Sequence, residues 1–481
     1  MAAKAEQHSY RDEQCDVAAV APELRYPQAL APFLRQAPLT VLVRSCLEWM
    51  VERADLETLF EETAHAQYTR QLTLDFLVDL MLDVVCGIAP SAHAALKSRR
   101  EQMGISRQAF YSKLQRMELP VSAAIVARFA ELAGPIMEQC HFAGVEPIPG
   151  YAARVLDGTI PGGRTDHRIG VLHPLVAGGL TGKVLAVYAV AQHLVQQVVL
   201  DEDAYVQERA LVNQVQVRAG EVWLGDRNFC VRTFLFRLHE AGAAFVMRWH
   251  AQCPYEEIAP LAPAQDSTQG ALEQPVHLTH PDTGAVMAAR RIVLPLDTPT
   301  RHGDRELILM TDLPQSVSAD VIGEGYRQRW QIETHFQKLT SILHCEPDGL
   351  NHPRAALFAF AMAVVAGNAL AVVQAALQVV HGEDAVREMS YYAFVLHISQ
   401  IWAGMAIAVP DKQWTFVRNA SLQTLALWLL AVARQVPMKN FRRSVRGQKK
   451  KPPKKQSSKN QTHVSNKRLI ELRLHSPIHS H

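Results

Sequence analysis

The sequence predicts an α/β fold: a mixed five-stranded sheet with flanking helices, interrupted by a β-rich insertion and preceded by an α-helical N-terminal domain. Three observations predict it. Residues 1–147 carry helical apolar periodicity. From Tyr151 onward, short apolar runs that end in turn residues alternate with helical patterns. Between residues 251 and 313, several prolines and a turn at His280–Gly284 replace that alternation with strand-like segments.

The N-terminal region contains four segments with helical character: Leu72–Val85, Ala92–Met103, Ser106–Met117 and Val121–Leu132. The middle two form a helix–turn–helix pattern, because Gly104 suits a helix C-cap and Ser106 suits an N-cap. Three side chains would then line the exposed side of the second helix and contact DNA: Arg107, Tyr111 and Lys113. A helical hairpin without DNA contacts explains the same pattern, and this alternative stays open.

Five segments between residues 148 and 250 read as strands: Ala153–Asp157, Ile169–Ala177, Val184–Val190, Glu221–Asp226 and Ala244–Trp249. Gly178–Gly182 suits a hairpin turn between the second and the third. Helices are predicted at Ala204–Val217 and Val231–Ala241. Three strands followed by helix, strand, helix and strand is the order of an RNase H-like core. The insertion adds strands at Ala285–Leu294 and Glu306–Leu313.

Two of the core strands stop at an aspartate, Asp157 or Asp226, followed by turn-type or polar residues. A lone aspartate after a strand usually forms a turn or caps a helix. Two of them at the ends of neighbouring strands, followed by a glutamate on a later helix, make a possible three-carboxylate metal site. Hard divalent ions such as Mg²⁺ prefer oxygen ligands, and two-metal phosphoryl-transfer sites hold their ions roughly 3.5–4 Å apart.

The later helix is predicted to be capped by Ser318 and to carry Tyr326, Arg329 and Glu333. Successive helical residues turn by about 100°, so these three fall within roughly 60° of one another, beside an apolar stripe that the helix would bury. A carboxylate, a guanidinium and a phenol on one face suit holding a metal ion next to a phosphate. A solvated face with an i,i+4 ion pair is the alternative.

With these motifs, the chain resembles the DDE transposases of bacterial insertion sequences, specifically the IS-four group with its Y-x2-R-x3-E-x6-K signature. Tyr326, Arg329 and Glu333 match the signature in identity and spacing. Asp157–Thr159 and Asp226–Phe229 resemble the first and second acidic motifs of that family. The resemblance covers roughly residues 150 to 400, and it implies a β insertion before the glutamate helix and an apolar helix after it.

The resemblance implies a DNA transposase that acts by metal-dependent hydrolysis and strand transfer. Asp157, Asp226 and Glu333 would be catalytic and would bind two Mg²⁺ ions, with Mn²⁺ as a substitute. Arg329 and Tyr326 would bind DNA phosphate. The partners would be double-stranded DNA, as inverted-repeat element ends and target DNA, and a second copy of the chain in a homodimer on paired ends.

The chain departs from the signature at its last position. Thr340 stands where the signature has lysine, and Gln337 stands at a position that is often basic. Lys338 is the DNA-binding candidate nearby, but on an ideal helix it is rotated about 140° from Glu333. In the family those lysines hold the DNA strand beside the one being cut. Two alternatives therefore stay open: a decayed or co-opted transposase that only binds DNA, and an RNase H-like nuclease that cuts without joining.

The last third of the chain combines an apolar helix with a basic tail. Ala355–Val380 is uncharged and long enough to span a membrane, but its polar interruptions, among them Asn368, favour a buried core helix and no membrane contact. From Phe441 to His481 there are twelve Lys/Arg and one acidic residue, whereas the rest of the chain has a net charge of about −9. The tail is predicted to be disordered and to neutralise DNA phosphates, unless it is a passive extension.

The predicted domains are an N-terminal DNA-end-binding domain (1–147), the two parts of the core (148–250 and 314–400), the insertion (251–313), C-terminal helices (401–440) and the tail (441–481). The seven cysteines are scattered, without the spacing of metal ligands. That pattern predicts a reduced, intracellular protein with free thiols. The resemblance implies that it is located in the bacterial cytoplasm with the nucleoid.

Overall fold

The computed structural model describes residues 25–67, 72–161, 182–204, 206–265, 267–299, 303–347, 350 and 352–443, and of residues 100–103 only the backbone. Its first part is helical: α1 Ala31–Gln36, α2 Pro38–Ala54, α3 Leu56–Thr63, α4 Leu74–Val85, α5 Ala92–Met103, α6 Arg107–Gln115 and α7 Leu119–Gln139. Gly104 follows α5 with a φ of 62°. Ser106 Oγ accepts a hydrogen bond from the Ala109 amide at 3.1 Å. Both helices and both caps of the predicted helix–turn–helix are therefore present.

The chain then forms the strands β1 Ala152–Thr159, β2 Lys183–Ala189, β3 Leu194–Asp201, β4 Glu221–Gly225 and β5 Ala244–Arg248, in the order β3-β2-β1-β4-β5. Strand β2 is antiparallel to both β1 and β3. Strands β1, β4 and β5 run parallel to one another, and helix α9 (Arg232–Glu240), close to its predicted bounds, connects β4 to β5. The carboxyl ends of the three parallel strands consequently meet at one edge of the sheet.

Two predictions in this region need correction. The third strand of the antiparallel part is β3, which the sequence analysis missed because β3 follows β2 through a turn at His193, a non-glycine residue with a φ of 57°. The strand predicted at Ile169–Ala177 and residues 178–181 of the predicted turn lie outside the described residues. The helix predicted at Ala204–Val217 is wrong: where this segment is described, at 204 and 206–217, it has only α8 (Glu208–Leu211) and a 3₁₀ turn (Val212–Gln214). Gln197 exchanges hydrogen bonds with the backbone of Gln216, at 2.9 Å each, in place of helical bonds.

The sheet is larger than the five strands predicted. It continues through β6 Glu256–Glu257, β7 Ala262–Pro263, β8 Leu272–Thr279, β9 Val286–Pro295 and β10 Glu306–Thr311, and it has ten strands among the described residues. Strand β10 pairs antiparallel with β5, so the insertion extends the core sheet. Strands β9 and β10 lie where strands were predicted. Strand β8 was missed because Pro275 interrupts its pattern.

The remaining helices are α10 Ala319–Arg327, α11 Trp330–Ser341, α12 Pro353–His381, α13 Glu383–Arg387, α14 Tyr391–Ala408, α15 Thr415–Arg418 and α16 Leu422–Arg434. Ser318 caps α10 as predicted, accepting a hydrogen bond from the Val321 amide. The single helix predicted from Ser318 past Glu333 is instead broken. Gln328 and Arg329 donate their backbone hydrogen bonds three residues back, at 3.1 and 3.0 Å, and this tighter turn separates α10 from α11.

Helix α12 is the centre of the main core. It packs against α2, α4, α7 and α16, and the Asn368 side chain bonds both backbone groups of Val195 in β3, at 2.9 and 2.8 Å. Among the described helices, α7, α12 and α14 are long and apolar enough to cross a membrane. In α12 the most apolar 18-residue stretch is entirely buried inside the protein. In α7 and α14, 44% and 28% of the corresponding stretch is buried. The prediction of a buried core helix at Ala355–Val380 is confirmed.

Candidate active site

Asp157 and Asp226 lie next to each other at one edge of the sheet. Leu156 of β1 and Gly225 of β4 are partners in the parallel register, so the two aspartates are the next residues on neighbouring strands. Neighbouring strands lie about 4.8 Å apart, and partners in register point to the same face. Asp157 Oδ1 accepts from the Gly158 amide at 3.1 Å, and Asp226 Oδ1 accepts from the Asn228 amide at 2.8 Å. The two aspartates are therefore neighbours, as predicted, and Asp226 directly follows β4 and caps its turn; β1, however, does not end at Asp157 but continues to Thr159.

Glu333 approaches this edge from α11, which packs against β1. Its side chain is 41% exposed, and Oε1 accepts a hydrogen bond from Arg329 at 3.0 Å. Burial raises the pKa of Asp157 to about 7, the charges of Glu333 and Asp226 raise it as well, and the Arg329 guanidinium opposes them. Asp157 thus lies close enough to Asp226 and Glu333 for both charges to act on it, and the Arg329 guanidinium lies near Asp157 and Glu333.

Arg329 and Tyr326 are both largely buried beside the carboxylates. Arg329 is 8% exposed, and its Nε has no hydrogen-bond partner. Burial raises the pKa of Tyr326 to about 12, and the phenol is also hydrogen bonded to Arg329. The predicted grouping of Tyr326, Arg329 and Glu333 survives the break between α10 and α11. The hydrogen bond with Tyr326 positions the guanidinium, and Nε is a buried donor without a hydrogen-bond partner.

Trp330, the first residue of α11, is exposed beside this group. Its side chain is 60% exposed, and the Arg329 guanidinium carbon lies 4.9 Å from its ring centroid. Five of the other six tryptophans are buried, and Trp249 is half-buried. Trp330 is therefore the most accessible tryptophan of the protein, and it adjoins Arg329.

The structure does not bring Lys338 to the carboxylates. Its Nζ lies 4.8 Å from the ring centroid of Tyr391, at the start of α14. Burial lowers the pKa of Lys338, and the nearby Arg443 guanidinium lowers it further. The same surroundings hold His335, which is buried and whose pKa burial lowers to about 3. The DNA-binding role of Lys338 stays a prediction.

The three candidates on α6 have different surroundings. Arg107 is exposed and lies over the ring of Tyr111 at 5.7 Å. Lys113 Nζ lies 4.7 Å from the ring centroid of Phe60 in α3, and burial lowers its pKa. Lys113 therefore contacts the protein's own apolar surface, whereas Arg107 faces solvent.

Two residues near the site were missed. Arg248 is the last residue of β5, and because Gly225 pairs with Met247, it follows Asp226 across the same edge. The carboxylate of Glu208 lies directly against Gly158 of β1: a Cβ added to this glycine would come within 2.3 Å of the carboxyl carbon. The carboxylate accepts hydrogen bonds from Lys183 and Asn228. Arg248 could have been found as the end of a third parallel strand. Glu208 could not, because a wrongly predicted helix contained it.

Three comparisons with known proteins bear on this site. Residues 177–366, about two fifths of the chain, match the family described as Transposase DDE domain. The matched segment includes Asp226 and Glu333 and begins after Asp157. It supports a DDE transposase and names no insertion-sequence group.

The chain is also similar to one chain of a cryo-EM structure of the piggyBac transposase synaptic complex with hairpin DNA. The likeness covers 82% of this chain and 81% of that chain, at 10% sequence identity and a TM-score of 0.35. A TM-score this low carries no argument. No curated protein matches the chain.

Proposed function

We propose that this protein is a DDE transposase of the IS-four group, which moves an insertion sequence by hydrolysis and strand transfer at the element ends. The observation that carries the proposal is the convergence of three carboxylates. Asp157 and Asp226 are neighbours by strand register, and the charge of Glu333 acts on Asp157. The family match over residues 177–366 agrees with it. The strand order β3-β2-β1-β4-β5, with β1, β4 and β5 parallel, supports an RNase H-like core.

Asp157, Asp226 and Glu333 would hold two Mg²⁺ ions, or Mn²⁺ in their place. The donor set fits hard cations, since it consists of carboxylate oxygens whose mutual repulsion a cation relieves. Over the described ranges, no three His, Cys, Asp or Glu side chains already lie close enough to hold one ion, so the carboxylates would have to close on it by side-chain rotation. When bound, such ions activate a nucleophile at neutral pH and stabilise a leaving oxygen.

The chain's own residues would position the DNA. The Arg329 guanidinium would bind a phosphate oxygen, and its hydrogen bond with Tyr326 would hold it in place. Since phosphoryl transfer depends mainly on positioning and charge neutralisation, no protein base is required. Helix α6, through Arg107 and Tyr111, would bind the element ends, and a homodimer would pair two ends. The bacterial cytoplasm, with the nucleoid, is the proposed location.

The test is a Mg²⁺-dependent assay on a plasmid that carries the inverted repeats flanking the gene. A transposase nicks at the repeat boundary and joins the released 3′ end to a second plasmid. Cleavage without joining would indicate a nuclease. Specific binding without cleavage would indicate a co-opted DNA-binding protein, the alternative that Thr340 and Gln337 favour. A chain that neither binds nor cleaves the repeats would contradict all three.

Thr340→Lys is expected to tighten binding to cleaved ends roughly 5- to 30-fold, because it adds a cation–phosphate contact of about 1–2 kcal/mol on the face of Glu333. Thr340 is half-buried and donates to the Phe336 carbonyl at 2.9 Å, a bond that lysine does not need. The measurement is a titration with a duplex that ends in the element's 3′-OH. Thr334→Lys, on an exposed part of the same helix, is the matched control. If both variants tighten binding equally, the effect is due to the added net charge and not to a contact made at position 340.

Removal of residues 444–481 is expected to weaken binding to all DNA sequences and to lower the salt slope by about 0.9 per lost phosphate contact. The cut follows Arg443, since Arg442 pairs with Glu388 at 3.4 Å and Arg443 donates to the Met389 carbonyl at 3.0 Å. The tail lies outside the described residues, so this prediction rests on its ten Lys/Arg. A full-length variant with the tail lysines replaced by glutamine should behave like the truncation; an unchanged slope in both would make the tail a passive extension.

A further inference from the structure

A pocket of about 450 Å³ lies at the ends of β5 and β10, beyond Asp226. Its lining includes three arginines, a histidine and an indole: Arg227, Arg248, Arg305, His250 and Trp249. Two acids, Asp304 and Glu306, also border it. We call it the arginine pocket. Nothing in the resemblance or in the family match assigns a role to it.

We propose that the arginine pocket binds a phosphate of the DNA strand adjacent to the phosphate held at the carboxylates. The inference rests on the proposed function and adds a second anchoring point to it. Its first support is position. Asp157, Asp226 and Arg248 follow paired residues on three neighbouring parallel strands, so the pocket begins one strand beyond the aspartates. At about 4.8 Å between strands, this offset is of the same order as the rise of about 3.4 Å per charge of one DNA strand along the duplex axis.

The second support is the arrangement of charges. Arg248 and Arg227 both pair with the same oxygen of Asp304, at 2.7 and 3.4 Å. One carboxylate therefore orients two guanidinium groups and neutralises only one of them. Both arginines remain partly accessible, with side chains 24% and 45% exposed. Planar guanidinium groups bind phosphate oxygens in pairs, so a pre-oriented couple with surplus positive charge suits a phosphodiester.

The third support is continuity with the carboxylate site. The Arg248 guanidinium and the Asp226 carboxylate both act on Tyr326, whose pKa the former lowers and the latter raises, although burial dominates. Tyr326 in turn bonds Arg329, which bonds Glu333. The pocket and the carboxylates are thus joined by neighbouring side chains, from Arg248 through Tyr326 and Arg329 to Glu333. The half-buried Trp249, held by a 3.0 Å bond from Nε1 to the Cys253 carbonyl, adds a flat wall suited to a sugar or base.

The experiment uses the full chain and a fluorescently labelled 20-nucleotide single strand, with EDTA present so that no cleavage occurs. Affinity is measured between 50 and 300 mM salt. Arg248→Gln and Arg305→Gln should each weaken binding at least 5-fold near 100 mM salt and lower the salt slope by about 0.7. Arg232→Gln, on α9 with its guanidinium bonded to the Thr279 carbonyl, is the matched control and should stay within twofold.

Asp304→Asn is expected to have the opposite effect on DNA affinity from the two arginine variants. The asparagine oxygen can still accept a hydrogen bond and orient a guanidinium, but the negative charge is gone, so this variant should bind the strand several-fold more tightly, a result that misfolding cannot produce. Quenching of the exposed Trp330 should reach the same plateau in every variant, at higher DNA concentrations for the two arginine variants. Unchanged affinity in both arginine variants, or weaker binding by Asp304→Asn, would overturn the proposal.

A titration with inorganic phosphate at constant ionic strength distinguishes a pocket that binds a phosphate of DNA from one that binds free phosphate. If phosphate binds in an Arg248-dependent way while DNA affinity is the same in wild type and Arg248→Gln, the pocket is a free-anion site and the proposal fails. The cleavage assay is scored separately. If the wild type nicks DNA and both arginine variants bind DNA as tightly as the wild type, only the proposal for the pocket is rejected. If the arginine variants bind DNA more weakly but the wild type does not nick, the transposase activity is rejected and the proposal for the pocket stands.

Discussion

Asp157→Asn, Asp226→Asn and Glu333→Gln are each expected to lower Mg²⁺-dependent nicking at least about 10³-fold, which corresponds to roughly 4 kcal/mol of lost transition-state stabilisation. Each change keeps the shape of the side chain and removes one anionic oxygen donor. DNA binding should persist or strengthen, because the phosphate backbone meets one negative charge fewer. Nicking of a supercoiled plasmid and binding to the same DNA with EDTA present measure the two effects separately.

Glu324→Gln is the matched control for this prediction. Glu324 lies on α10, two residues before Tyr326, is 60% exposed and pairs with Arg327. Its neutralisation changes the net charge equally and should leave nicking within twofold. Full activity in any one of the three carboxylate variants would remove that residue from the site, and an equal loss in Glu324→Gln would attribute the effect to net charge.

Asp157→Asn is also expected to stabilise the fold at alkaline pH when no divalent ion is present. The pKa of Asp157 is raised from 3.8 to about 7 in the folded protein. At a pH between these two pKa values, the folded state holds a proton on Asp157 that the unfolded state releases. The stability of the wild type therefore falls as the pH rises from about 4 to about 7, and it stays low above about pH 7. Asparagine has no such proton. The variant should therefore exceed the wild type by at most about 4 kcal/mol at pH 8 and by roughly half of that at pH 5.5.

Urea unfolding at pH 5.5 and pH 8, with EDTA, measures this difference. Addition of Mg²⁺ at pH 8 should raise the midpoint of the wild type more than that of Asp157→Asn, because binding to the folded state stabilises it. The difference in the free energy of unfolding between Glu324→Gln and the wild type should be the same at both pH values. A gap for Asp157→Asn that is the same at both pH values would mean that the carboxyl is not held protonated by its surroundings.

Local patterns along the chain were sufficient for several features. The capped pair α5 and α6 follows from Gly104 and Ser106, since caps depend on residues within one helical turn. The grouping of Tyr326, Arg329 and Glu333 follows from helical spacing alone, and the tighter turn at Arg329 leaves it intact. The end of β4 before Asp226 was also visible, because an apolar run followed by turn residues is a local signal, whereas the continuation of β1 past Asp157 to Thr159 was not.

Contacts between distant residues account for the rest, and spacing does not encode them. The register between β1 and β4 places Asp157 beside Asp226, 69 positions away in the sequence. Pairing of β10 with β5 merges the insertion into the core sheet, and pairing of β4 with β5 brings Arg248 to the carboxylate edge. Lys338 contacts Tyr391, a residue of α14. Strand pairing and the packing of α12 depend on the burial of surfaces from the whole chain, so these neighbours could not be read from periodicity.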